Sequence, residues 1–134
     1  MDIQELCKYW QKELRLEDWD LSAKVLSDSA YELVEESEGI PKLSSAALNS
    51  ISTDRKDAAI YIKESNTEKE LYLLHELAHM LINSMDECNT HIIGHVPNTV
   101  LRRYMVSKSN EALEHSVWNV ARALYNMKRG ADAD

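Results

Sequence analysis

Apolar and polar positions recur along the chain with two different periods, and these periods predict helices and strands. From residue 2 to residue 15 the apolar positions return every three to four residues, which predicts an amphipathic helix started by the capping pair Asp2 and Glu5. The buried stripe of this helix consists of Ile3, Leu6, Cys7, Trp10 and Leu14. Because Cys7 lies on that stripe, we expect it to be a small core residue rather than a metal ligand.

The following patterns have a period of two, which is typical of half-buried strands. Residues 19–25 alternate in this way, and residues 58–62 do so more clearly. Residues 46–52 are a further candidate strand, joined to 58–62 by the charged turn 54–57. These strands predict a small sheet that is mixed or antiparallel.

Residues 27–45 have no clear period. Within them, the acidic stretch 35–41 ends in Gly39, Ile40 and Pro41. Glycine and proline interrupt regular structure, so we expect an exposed loop there with solvated carboxylates, and a secondary cation site is the alternative.

Residues 67–83 predict a long helix that no Gly or Pro interrupts. Thr67 and Glu70, three residues apart, form the signature of a capping box at its start. The apolar positions that recur at helical spacing are Leu71, Leu74, Ala78, Leu81 and Ile82.

Inside this helix, residues 75–79 read His-Glu-Leu-Ala-His and match the pattern HExxH. His75 and His79 lie on one helix face because they are four residues apart, so both imidazoles can bind one tetrahedral Zn²⁺. Glu76 can then take a proton from a water on the metal without being a ligand itself. The plainer interpretation is a core helix with two ordinary polar residues, but the motif falls in phase on a capped amphipathic helix.

The sequence beyond the motif is harder to interpret. Residues 84–107 have no clear period, and we expect a long loop there. A final helix should start near Ser107 or Ser109 and run to about Lys128, because either serine can cap it. It should stop at the glycine that opens a frayed tail, 130–134.

The order of helix, strands and helices predicts an α+β fold in a single domain, residues 1–134. The chain is 44% hydrophobic, enough for a core, and its formal charge of −8 argues against a nucleic-acid-binding surface. No apolar run approaches the length of a membrane span, and the charged N-terminus is unlike a signal peptide. Cys7 and Cys88 do not make a disulfide framework, so we expect a cytoplasmic protein that does not bind membranes.

A catalytic zinc ion needs a third protein ligand besides two histidines. The extended motif HExxHxxGxxH is absent, because Ile82 and Met85 occupy the positions of its glycine and last histidine. The final helix offers Glu111, Glu114 and His115 instead. Its apolar stripe consists of Leu113, Val117, Val120 and Leu124. At about 100° per residue, Glu114 lies roughly 80° from the stripe's centre, Glu111 roughly 140° and His115 further away. This phase favours Glu114 as the third ligand and leaves Glu111 as the alternative.

Together these motifs resemble the gluzincin branch of zinc metallopeptidases. In size the chain is similar to minimal gluzincins and to compact zincin-like proteins of bacteria and phages. The likeness rests on the HExxH motif, the strand 58–62 before it, the glutamate helix 114–123 and the segment 14–19. The resemblance implies a zincin-like fold that hydrolyses a peptide or protein substrate. It also implies one Zn²⁺ per chain, with His75, His79 and Glu114 as ligands and Glu76 as general base.

Such a reaction needs an electrophile for the developing oxyanion in addition to the metal. Tyr104, His91, His95 and His115 are candidates, and the sequence does not choose among them. If strand 58–62 lies at a sheet edge, an extended substrate could pair with its main chain.

Other interpretations compete with a peptidase. Cys88, His91 and His95 form a C-x2-H-x3-H pattern that could bind a metal of its own. A zincin scaffold could also bind a partner and cleave nothing, for instance as a phage or mobile-element regulator. A purely structural zinc site would leave Glu76 without a role and would require four protein ligands. Hydrolysis that stops with a chelator distinguishes the peptidase from the binding scaffold.

Overall fold

The computed structural model describes residues 2–37, 47–52 and 56–133. Its elements are α1 (Ile3–Glu13), β1 (Asp20–Leu26), α2 (Asp28–Ser37), β2 (Ala47–Ser52), β3 (Asp57–Lys63), α3 (Lys69–Gly94) and α4 (Thr99–Ala133). The α+β class is therefore confirmed. The chain groups into two compact units, Met1–Glu76 and Leu77–Asp134, with the boundary inside α3.

Helix α1 forms where the sequence predicts it. Asp2 caps it by accepting a hydrogen bond from the Glu5 backbone N–H at 2.8 Å. Cys7 and Trp10 are buried, and burial raises the pKa of the Cys7 thiol to about 11. The thiol therefore stays protonated near neutral pH and acts as an apolar core group. The Trp10 indole N–H donates to the Glu70 carboxylate at 3.1 Å, which ties α1 to the start of α3.

The three strands form one mixed sheet with β3 in the centre, in the order β1-β3-β2. Strand β2 runs antiparallel to β3, as expected for two strands joined by a short turn. Strand β1 runs parallel to β3, so the prediction of an all-antiparallel sheet is wrong. A parallel pair needs a long crossover connection, and α2 and β2 lie within that connection. The condition for pairing of a substrate with strand 58–62 is not met, because β3 is the central strand and has a hydrogen-bonded neighbour on each side.

The period-two pattern correctly predicts which side of the central strand is buried. Ala58, Ile60 and Ile62 are buried, and the residues between them are half-buried. On β1, Leu21 and Ala23 are buried in the same alternation, whereas Val25 is 38% exposed. The apolar core of the first unit therefore includes one face of β1 and β3.

Helix α2 was not predicted from the sequence. Its first turn is capped by Ser27, whose hydroxyl accepts a hydrogen bond from the Ala30 N–H at 3.3 Å. Tyr31 and Glu35 lie one turn apart on its inner face and are fully buried. The expectation of a solvated carboxylate at Glu35 is therefore wrong. Residues 38–41 of the expected loop lie outside the described residues.

Glu35 has an unusual environment that leads to a stability prediction. Among the described residues, neither carboxylate oxygen has a hydrogen-bond partner, although the side chain is fully buried. A buried polar group without a partner costs about 1–3 kcal/mol. Glu35→Met keeps the length of the side chain and removes this cost, so we expect the free energy of unfolding to rise by about 1–3 kcal/mol.

Urea unfolding of both proteins measures this change. Glu32→Met, at an exposed position of the same helix, is the matched control and should change the unfolding free energy by less than about 0.5 kcal/mol. A less stable Glu35→Met protein would contradict the prediction and would show that the carboxylate makes a favourable interaction.

The prediction of a long loop at residues 84–107 is wrong. Helix α3 continues to Gly94, and α4 begins at Thr99, so only residues 95–98 join them. Asn98 caps α4, accepting from the Leu101 N–H at 2.9 Å. These helices are solvated on most sides here and need no apolar stripe, which explains the missing period.

The end of α4 also differs from the prediction. The helix continues through Gly130 to Ala133, so residues 130–133 are not a frayed tail. A glycine inside a helix costs about 1 kcal/mol relative to alanine, which does not prevent the helix from continuing. In the part of the chain that the structure describes, no helix has both the length and the apolar character to cross a membrane.

Candidate metal centre

Helix α3 carries the HExxH residues and has a capped start and one buried face. The Asn66 side chain accepts a hydrogen bond from the Glu68 N–H at 2.8 Å, just before the helix begins at Lys69. The buried apolar residues of the first three turns are Leu73, Leu74, Leu77, Ala78 and Met80. This stripe is rotated from the predicted one, since Leu81 is 40% exposed.

The rotated stripe places the motif at the edge of the buried face. The side chains of His75 and His79 are mostly covered, and Glu76 is buried. One ligand atom from each of the three residues lies within 4.8 Å of the other two. These three residues could therefore hold a metal ion, as the spacing of the motif predicts.

His75 and Glu76 also contact each other directly. Nδ1 of His75 lies 3.2 Å from Oε1 of Glu76. A proton on Nδ1 would be donated to this carboxylate and would leave Nε2 as the metal-binding nitrogen. A carboxylate that orients a histidine in this way is common in zinc sites.

Glu114 lies outside this group of three but next to one of its members. Its Oε1 is 3.0 Å from Nε2 of His79. Two ligand atoms on a tetrahedral Zn²⁺ are about 3.3 Å apart, given metal–ligand bonds of about 2.0–2.1 Å. The His79–Glu114 contact is therefore close to the spacing that two ligands of one zinc ion require.

The position of Glu114 follows from the phase of α4. Val117 and Ala121 are the buried residues of this helix among those described, and Glu114 continues their i, i+3, i+7 stripe. Glu111 points elsewhere, with its carboxylate 3.3 Å from the Lys108 ammonium and 65% exposed. The structure thus places the Glu114 carboxylate beside His79, whereas the Glu111 carboxylate lies beside Lys108.

The candidate oxyanion groups are not equally placed. His91 is twelve residues beyond His79 on α3, which is about 18 Å along the helix axis. Tyr104 precedes Glu114 by ten residues on α4, or about 15 Å. His91 and Tyr104 are therefore too distant along their helices, and His95 follows the end of α3. His115 is exposed, adjacent to Glu114 in sequence, and remains a candidate.

A cavity of about 490 Å³ lies between α3 and α4 in the second unit. Residues on both helices line it, including Ile82, Met85, Ile92, Ala112 and Leu113. Ile82 is one turn beyond His79, and Leu113 precedes Glu114. The cavity is mainly apolar and begins within a turn of the His79–Glu114 contact.

The C-x2-H-x3-H pattern separates into two parts. Cys88 is exposed and lines the cavity between α3 and α4. The rings of His91 and His95 lie against each other, with their centroids 4.6 Å apart. Within the described residues, Cys88 does not complete a group of three metal-ligating side chains with these histidines.

No protein-family model, curated protein or solved structure matches the chain.

Proposed function

We propose that the chain is a small zincin-like metallopeptidase that hydrolyses peptide bonds with one zinc ion. The grouping of His75, Glu76 and His79 within 4.8 Å on one helix carries this proposal. The contact of Glu114 with His79 adds the third ligand that a catalytic site needs.

The donor set fits zinc. Two imidazoles and one carboxylate are a common set for catalytic zinc, and three protein ligands leave a fourth position open. In the proposal His75, His79 and Glu114 hold the ion and Glu76 stays unbound. When bound, zinc would supply a Lewis acid and lower the pKa of a water at the open position.

Glu76 carries out the proton transfers of the reaction. Its carboxylate takes a proton as the water attacks the substrate carbonyl, and then passes that proton to the leaving amine. Glu76 is buried, so little bulk water competes for its oxygens. His75 lies 3.2 Å away and helps to hold the carboxylate in place.

A binding scaffold is the second candidate function. The α3–α4 unit exposes several large apolar side chains, among them Met85 at 75% and Val100 at 78%. Where such side chains form one contiguous patch, they mark a surface that binds a partner. The same fold and zinc site would then serve a regulatory protein, of phage or mobile-element type, that cleaves nothing.

Hydrolysis of an unstructured protein distinguishes the two functions. We expect the zinc-loaded chain to cleave casein, and we expect cleavage to stop with a chelator and to resume with added zinc. His75→Ala should lose both the metal and the cleavage, whereas His115→Ala should keep the metal. Zinc content by mass spectrometry and fragment analysis by gel measure both effects.

Metal occupancy and cleavage together distinguish the alternatives. Full metal occupancy in His75→Ala and in His79→Ala would place the metal elsewhere in the chain. A metal-loaded wild type that cleaves none of a broad set of unstructured proteins would favour the binding scaffold.

A further inference from the structure

We propose that His91 and His95, at the C-terminal end of α3, form a second metal site that binds a divalent transition metal, with Cu²⁺ preferred. The two residues are four apart, and their rings lie side by side with centroids 4.6 Å apart. Histidines at this spacing can direct two ring nitrogens at one ion.

A hydrogen bond prepares one of the two ligands. Nδ1 of His95 donates to the backbone carbonyl of His91 at 2.8 Å. This bond fixes the ring and places the proton on Nδ1, which leaves Nε2 free to bind a metal. Metal-binding histidines commonly use their other ring nitrogen in this way.

The end of the helix also favours a cation. The last carbonyls of a helix carry partial negative charge, equivalent to about half an elementary charge. His91 lies in the last turn of α3, and His95 follows Gly94 directly. Both histidines are exposed, so an ion bound here could keep water in its remaining positions.

The chemistry of the ligands indicates the preferred metal. Two imidazoles completed by water suit Cu²⁺, Ni²⁺ and Zn²⁺, and the general order of affinity places Cu²⁺ first. Cys88 is not part of the site, since among the described residues it does not group with these two histidines. An ion held by residues 91 and 95 would link the last turn of α3 to the connection before α4 and would stabilise that end of the helix.

This site is separate from the HExxH centre. His91 lies about 18 Å from His79 along the helix, too far for one ion to reach both. The inference therefore does not depend on the proposed peptidase function.

Titration calorimetry of the full chain with CuCl₂ tests the inference. We expect the wild type to bind two Cu²⁺ per chain, because copper also suits the HExxH ligands. His91→Ala and His95→Ala should each weaken the second binding event at least about tenfold. Both should leave zinc binding at the HExxH centre unchanged, and His75→Ala should remove the other copper.

His115→Ala is the matched control, because it removes an exposed histidine on α4 that has no histidine one turn away. It should keep both copper ions. Circular dichroism shows whether the variants keep their helices, and His91→Gln provides a milder substitution. A second copper that survives in His91→Ala and His95→Ala, or one that His115→Ala also loses, would overturn the inference.

Discussion

Glu76→Gln is expected to lower the turnover of an unstructured protein substrate about 10²–10⁴-fold while the zinc content stays at one per chain. The amide has the shape of the carboxylate but cannot accept the proton of the attacking water. Glu76 is not a ligand in the proposal, so its substitution should leave metal binding intact. Turnover of casein and zinc analysis of the same samples give the two measurements.

A control separates this effect from a change in fold. Glu68→Gln, at an exposed position just before α3, alters the same functional group outside the metal group and should keep full turnover. Equal turnover in Glu76→Gln and wild type would remove Glu76 as the base. Loss of zinc from Glu76→Gln would instead make Glu76 a ligand, which its place in the group of three allows.

Sequence patterns predict the parts of this fold that are buried on one side. Helix α1 and strands β1 and β3 each have one apolar face, and their periods of 3.6 and 2 are visible in the sequence. The direction of β1 relative to β3 could not be predicted in the same way. Alternation reports which side of a strand is buried, and it contains no information about the neighbouring strand.

The lack of a one-sided buried face also explains the wrong prediction for residues 84–107. The second half of α3 and the start of α4 are largely exposed, so they show no apolar period and their sequence pattern predicts a loop. The better signal was local. No Gly or Pro occurs between Met85 and Ile93, whereas Gly94, Pro97 and Asn98 together mark a short connection and a helix cap.

Glu35 shows a different limit. An acidic residue in an acidic stretch is normally solvated, and composition alone predicts exposure. In the structure the residue follows Tyr31 by one helical turn and is buried with it. Tertiary packing has outweighed the preference of an acidic side chain for solvent. No sequence pattern within residues 27–45 predicts the burial of Glu35.

One part of the candidate metal site, the grouping of His75, Glu76 and His79, follows directly from the sequence. HExxH combines a helix, a spacing and three ligand types, so its geometry is nearly complete once the helix forms. The preference for Glu114 over Glu111 depends only on their angular positions around the final helix. The predicted stripe included Val120, which is 38% exposed, while the buried residues are Val117 and Ala121. This rotation moves the buried face closer to Glu114, whose carboxylate lies 3.0 Å from Nε2 of His79. Its role as a metal ligand stays a prediction.

Glu114→Gln should weaken zinc binding about 100-fold or more, because two histidines and water hold the ion poorly. The amide keeps the size of the side chain but lacks the negative charge that a third ligand contributes. Competition with a colorimetric chelator at neutral pH measures the zinc concentration for half-saturation.

Glu111→Gln is the matched control for this experiment. Glu111 lies one turn earlier on the same helix, and its carboxylate pairs with Lys108 on the exposed side, 3.3 Å from the ammonium. An exposed pair of this kind contributes little to stability, so its loss should leave both fold and zinc affinity unchanged. If Glu111→Gln loses zinc and Glu114→Gln keeps it, the ligand is Glu111. Helix α4 would then have to rotate by about 60° when the metal binds, since residues three apart differ by that angle.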